Sequence, residues 1–295
     1  MLEARVLALL PLGLVVGLPV GFFKERTSKR SLLRWVLRLA PLALLPLLSL
    51  RQAVAVGSTF LVGRVLGASL VGVGLTGGIA TGKSSVSKVF REAGAVIIDA
   101  DVIAREVVLP GHGAHAEIVK HFGEDVLNRE DRTLDRAKLG AIIFSDPAQR
   151  KKLNAATHEQ KYIVWEMFKQ LVYHRLVRRQ RLVVFDAPLL FETHLLEHFV
   201  YPTVVVSCSE QHELARMMRR DGISQQDAEK RIASQMKLED KVKKADLIVQ
   251  NDGTFDELLV NARRTLETTA EVVGGRGELR ELPQHFSTTY GTHMS

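Results

Sequence analysis

Residues 77–84 read Gly-Gly-Ile-Ala-Thr-Gly-Lys-Ser, a complete G-x-x-x-x-G-K-[ST] loop set between the apolar run Leu70–Thr76 and a helical pattern. Few eight-residue stretches restrict a fold so tightly. Backbone N–H groups of a glycine-rich turn close around phosphate oxygens because glycine accepts positive φ, and the following helix presents its positive end to the same anion. The bare pattern arises by chance in roughly one chain in a hundred of this length, and its strand-before, helix-after context makes accident rarer still. Gly77, Gly78, Ile79, Ala80, Thr81, Gly82, Lys83, Ser84 and the next residue, Ser85, are the expected nucleotide-binding set. Lys83 is expected to reach the β- and γ-phosphates of ATP, and Ser84 to ligate Mg2+.

The 295 residues carry a net charge of +7, but that charge is not spread evenly. Residues 1–70 hold nine Lys and Arg against Glu3 and Glu25, so the remainder sums to zero with 31 residues of each sign. A neutral remainder with few aromatics and no basic stripe argues against nucleic acid as a partner. Cys208, the single cysteine, excludes an intrachain disulfide framework and any multi-cysteine zinc site. Its place after Thr203–Ser207 reads as a small residue closing a buried strand. No histidine pair has helical metal-binding spacing, and the pattern sets no oligomeric state.

Val6–Phe23 is an 18-residue run without a charge, about 27 Å as a helix, broken by Pro11 and Pro19. The basic cluster Lys24–Arg30 follows, and Arg30, Arg34 and Arg38 then fall on one helical face among leucines. Residues 1–69 are therefore expected to associate with a membrane, with the remainder on the cytosolic or matrix side. A mitochondrial location is favoured. A cleaved targeting segment is the alternative, and a secretory signal fits poorly with a magnesium-nucleotide site and one free thiol.

Five short β-branched runs, Leu70–Thr76, Ala95–Asp99, Leu182–Asp186, Thr203–Ser207 and Leu247–Gln250, alternate with helical patterns. That alternation predicts an α/β fold with a five-stranded parallel sheet flanked by helices. About 80 residues separate the second and third runs, too many for one crossover, so a helical subdomain is inserted there. The expected organisation is an extension over 1–69, a catalytic domain over 70–270 and a disordered tail over 271–295. Within the domain, 70–101 and 180–270 form the core, 102–179 the insertion and 211–243 a helical lid.

Asp99 and Asp101 end the second run two residues apart, so in a strand both carboxylates face one side, into the cleft above the sheet's carboxyl edge. One could take a proton from an attacking hydroxyl and the other orient it; alternatively Asp101 caps a helix over Val102–Val108. Asp186 ends an apolar strand, the pattern of a magnesium-contacting carboxylate and also of an ordinary strand end. Glu192 lies close enough to reach the same cleft. Arg216, Arg219, Arg220 and Arg231 lie on a helical hairpin around Asp221-Gly222 that could close over a triphosphate, Arg219 best fitting a solvated face. Asn251-Asp252-Gly253 reads either as a backbone contact for adenine, through Asn251 and Gly253, or as a plain turn.

With these residues in order, Val71 to about Leu266 resembles dephospho-CoA kinase, the last enzyme of coenzyme A biosynthesis. The resemblance spans roughly 195 of 295 residues. It rests on residues 75–84, Ile98-Asp-Ala-Asp-Val-Ile-Ala-Arg105, Val107–Gly111, Leu134–Arg136, Ile143–Pro147, Leu153-Asn154, Pro188–Glu192 and the hairpin from Arg216 to Gln235. It implies ATP on the phosphate loop, dephospho-CoA against the inserted region, and phosphorylation of the ribose 3'-hydroxyl. It further implies Asp101 as general base, Asp99 beside it, the hairpin with Arg216 and Arg220 as lid, and a CoA-side role for His158. Glu159 stands where the family usually has proline after that histidine, which puts the helix start there in question. The rivals are another nucleotide-fuelled small-molecule kinase acting on a nucleoside monophosphate, and a non-catalytic membrane-bound scaffold.

Overall fold

The computed structural model describes residues 50–145, 159–194 and 196–273. Five strands, β1 (Gly72–Gly77), β2 (Val96–Asp99), β3 (Val183–Asp186), β4 (Val200–Ser207) and β5 (Leu247–Gln250), form one all-parallel sheet in the order β2-β3-β1-β4-β5. All five predicted runs are strands, with ends shifted by a few residues.

Side-chain alternation explains why both faces are covered. Val184 of β3 and Val204 and Val206 of β4 join one core, with helices α2 (Lys83–Glu92) and α10 (Phe255–Val272). Val183, Phe185 and Val205 point the other way, into a second core with α3 (Ala100–Glu106) and α6 (Glu159–Val172). Between β2 and β3 lie α3, α4 (Gly113–Phe122), α5 (Arg136–Ser145) and α6, which ends in a π-turn at Tyr173–Val177. A small third cluster, Ile118, Val126 and Leu139, sits within this inserted stretch. After β4 come α7 (Glu210–Asp221), α8 (Gln225–Ala233) and α9 (Leu238–Lys244). Ser209 and Ser224 cap α7 and α8, and Gly222 at φ 63 makes the left-handed turn between them.

The expected membrane-associated extension, with its favoured mitochondrial location, needs correction. Among the described residues no helix is long and apolar enough to cross a membrane. The helix α1 (Leu50–Ser69) has 20 residues, about 30 Å, so it falls short in hydropathy rather than in length. Arg51, Gln52 and Arg64 dilute its apolar residues. Residues 1–49, Pro147–Asn154, His158 and the tail from residue 274 lie outside the described residues.

Glycine on β1 reflects close packing. A Cβ at Gly74 would lie 2.8 Å from Val200 Cγ2 and 2.9 Å from Leu190 Cδ1, both on buried side chains. Overpacking of this kind costs about 1–3 kcal/mol. Gly74→Ala is therefore expected to lower stability by about that amount, read as a reduced urea midpoint with unchanged m-value.

Candidate active site

The carboxyl ends of β1, β2 and β3 are neighbours because the sheet order places β3 between the other two. Asp99 pairs in register with Asp186, and Asp186 with Leu75, two residues before the phosphate loop. The chain order alone would not bring them together, since Asp186 lies 103 residues from Lys83.

The loop runs from Gly77 into α2. Ala80 and Gly82 adopt positive φ, 59 and 92, which turns the chain back toward the helix start. At Gly82 an added Cβ would lie 2.4 Å from Asn251 Nδ2, because that amide donates to the Thr81 carbonyl at 2.8 Å. Thr81 Oγ1 donates to the Gly78 carbonyl at 3.0 Å. Buried Glu213 of α7 sets its carboxylate against Gly78, leaving no room there for a Cβ. Burial raises the Glu213 carboxyl above its ordinary value, opposed by the nearby Ile79 backbone and by Lys241.

Inside the cleft Lys83 forms a short ion pair with Asp186 Oδ1, and both are mostly buried. Asp99 does not share the cleft with Asp101 in the way that strand periodicity suggests. Its Oδ1 accepts from Asp101 N at 2.8 Å and Val102 N at 3.2 Å, so Asp99 is the N-cap and Asp101 stands in the first turn of α3. The capping alternative had the right motif and the wrong aspartate. Asp101 is thereby left without a capping duty. Its carboxyl lies above the usual aspartate range, chiefly because of desolvation, against the pull of Lys83 and with the push of Asp99 and Asp186.

The hairpin arginines separate into two kinds. Arg216 is half-buried, and its Nη1 is sealed from water with no hydrogen-bond partner. It also faces Cys208, whose thiol burial pushes up to about 11, so the thiol stays neutral and unreactive. Arg220 is exposed and engages Asp221 at 2.7 and 3.2 Å, while Arg231 reaches the same carboxylate at 3.0 Å. Asp221 thus closes the hairpin on itself. Glu192 Oε1 accepts from Met236 N at 3.0 Å and pairs with Lys241 at 2.8 Å, and its Oε2 is buried without a partner. Gly253 lacks room for a side chain, because Glu257 folds back to Thr254 in a capping box. Neighbouring Asp252 accepts from Ser209 N at 2.6 Å, tying this turn to the start of α7.

Sequence reasoning missed Glu213, Lys241 and the side-chain role of Asn251. Lys241 falls in the charged run Lys237–Lys244 and gives no signal of burial, yet its side chain is 0% exposed. A lone Glu on a helix is equally silent.

The model of the dephospho-CoA kinase family matches residues 71–257, most of the chain. The chain belongs to the dephospho-CoA kinase family. It is 40% identical over 222 residues to a dephospho-CoA kinase of Oryza sativa, covering 75% of this chain and 94% of that one. A Danio rerio dephospho-CoA kinase domain-containing protein is 47% identical over 185 residues, 63% of this chain and 79% of its own. The solved structure of a Campylobacter jejuni dephospho-CoA kinase superposes with TM-score 0.53 at 26% identity, covering 68% of this chain and 97% of that one. The kinase reaction is the ATP-dependent phosphorylation of dephospho-CoA in coenzyme A biosynthesis.

In this kinase the Asn251 amide is the only side-chain donor recorded on the Thr81 carbonyl among the described residues. Losing a buried bond of this kind costs about 1–2 kcal/mol. Asn251→Ala is accordingly expected to weaken ATP binding about tenfold by calorimetry, with the fold retained by circular dichroism.

Proposed function

We propose that the phosphoryl group passes in line from ATP to the ribose 3'-hydroxyl of dephospho-CoA, with Asp101 as general base. The observation that carries this reading is the division of labour between the two aspartates. Asp99 holds the helix start, and Asp101, its carboxyl raised by desolvation, lies within the field of Lys83 and Asp186. A base matched to a hydroxyl should sit above the ordinary aspartate value yet remain ionised at neutral pH. Lys83 and the loop amides spread over the transferring phosphate, and positioning with electrostatics supplies most of the acceleration.

Magnesium fits the donor chemistry. Ser84 and Asp186 offer hydroxyl and carboxylate oxygens, the hard ligands this ion prefers, and no group of three or more metal-binding side chains occurs among the described residues. Such a sparse set suits an ion that keeps phosphate and water ligands, and when bound it neutralises charge on the phosphates.

The core over 70–101 and 180–270 serves the donor, and the inserted region over 102–179 serves the acceptor. Residues 211–243 close as a lid. Arg216 supports that reading, because its Nη1, sealed from water and without a partner, suits an arriving anion. Arg220 joins it only by exchanging Asp221 for phosphate. Asn251 and Gly253 border the adenine and His158 belongs to the acceptor side, while Glu192, expected there too, is instead held at the base of the hairpin by Met236 N and Lys241.

The test compares acceptors. Dephospho-CoA should yield CoA with ATP, while AMP and CMP should turn over at least about a hundredfold less efficiently. Preference for a nucleoside monophosphate would overturn the reading. Asp101→Asn is expected to lower kcat by about 10²-fold or more, with ATP affinity within a few-fold of wild type. The base works deprotonated, so kcat should rise with pH through an acid limb placed above the ordinary aspartate value of 3.8, and the variant should lack that limb.

A further inference from the structure

Behind the phosphate loop, Lys241 is fully buried, and its ammonium meets three acceptors from separate parts of the chain. They are the Gly77 carbonyl at 3.2 Å, the Pro188 carbonyl at 2.8 Å and Glu192 Oε1 at 2.8 Å. An ammonium has three protons, so every donor is used and none faces the reacting atoms. Taking such a charge out of water is costly unless geometry and partners are good, and an apolar side chain would fill the same space at less cost. Packing alone does not explain a lysine here.

Its partners give the reason. Gly77 opens the phosphate loop, and Pro188 follows β3, where its carbonyl also accepts Thr76 Oγ1 at 3.0 Å. Glu192 grips Met236 N at 3.0 Å, the first peptide after the α7–α8 hairpin and its Gln235. Lys241 itself stands on α9, the arm by which the chain leaves the hairpin. On the entering arm, α7, buried Glu213 sets its carboxylate directly against Gly78 of the loop, leaving no room there for a Cβ. Both arms of the hairpin therefore touch the phosphate loop, α9 through the Lys241 hydrogen bond and α7 through the Glu213 contact, and Arg216 lies on α7 about one turn beyond Glu213.

We infer that Lys241 is a positioning residue that locks the base of the helical hairpin to the phosphate loop, so that hairpin movement and loop geometry change together. The lysine holds the Gly77 carbonyl while Glu213 packs against Gly78, the next residue of the loop. A nucleotide that draws the loop inward pulls on both arms. The Arg216 guanidinium moves with them. The inference rests on the phosphoryl-transfer reading above, whose own failure would show as an inactive wild-type enzyme.

Two measurements test it on the full chain. In Lys241→Met/Glu192→Gln no uncompensated carboxylate is left, and the glutamine oxygen can still accept from Met236 N. For this variant kcat is expected to fall by about tenfold to a hundredfold while KM for ATP changes by less than about threefold. Wild-type kcat in the folded variant, with only a lowered Tm, would make Lys241 structural and overturn the inference. The second measurement needs no substitution. Hydrogen exchange of the wild-type enzyme should show amides of residues 77–82 and 234–241 gaining protection together when a non-hydrolysable ATP analogue binds. Protection confined to the loop would equally overturn it.

Discussion

A phosphate loop keeps its amides pointing inward, so the outward-facing peptide groups must find partners elsewhere or be lost to solvent competition. This requirement organises the rest of the molecule. The carbonyls of Gly77 and Thr81 are met by Lys241 and Asn251, which come from α9 and the turn after β5, while Glu213 of α7 packs against Gly78. The elements packed around the loop are thus its scaffold as well as its neighbours. Asn251 is tied in turn through Asp252 to the start of α7, so one side of the site is a connected frame. Frames of this kind hold donors where charge develops without reorganising at the moment of reaction.

The cleft within that frame is a balance of charge. Lys83 neutralises Asp186, and together with the loop it offsets the mutual repulsion of Asp99, Asp101 and Asp186. Asp99 is further satisfied by two backbone amides at the start of α3. What remains is one carboxyl, that of Asp101, whose burial is not fully compensated, and this sets it apart from Asp99 and Asp186. Parallel strand order makes the arrangement compact, since β3 lies between β1 and β2 and sets Asp186 beside both.

Much of the fold was legible because its signals are local. β-branched runs, the glycine loop and the cap residues each act within a few positions, and all five strands lie where periodicity put them. Boundaries slipped where a side chain engaged the backbone: Asp99, the last residue of β2, also caps α3, which starts two residues before the expected Val102. The hairpin was recognisable by its helical pattern, but its arginines were not alike, because Asp221 captures Arg220 and Arg231 while Arg216 is drawn inward. The hydrophobic extension shows the opposite failure, where apolar composition suggested a membrane and the described helix, interrupted by arginines, does not supply a span.

By itself the sequence determined the phosphate loop, the alternation of strands and helices, and the family. These depend on contiguous residues whose chemistry does not need a distant partner. Only the tertiary structure decided which aspartate caps and which is left for the cleft. It alone showed that Glu192 belongs with the base of the hairpin, and that a lysine in a charged run lies fully buried behind the loop. The physical reason is separation along the chain: Lys241 meets Gly77 across 164 residues and Asn251 meets Thr81 across 170. Hydrogen bonds of such range follow from strand order and helix docking, which no local pattern encodes.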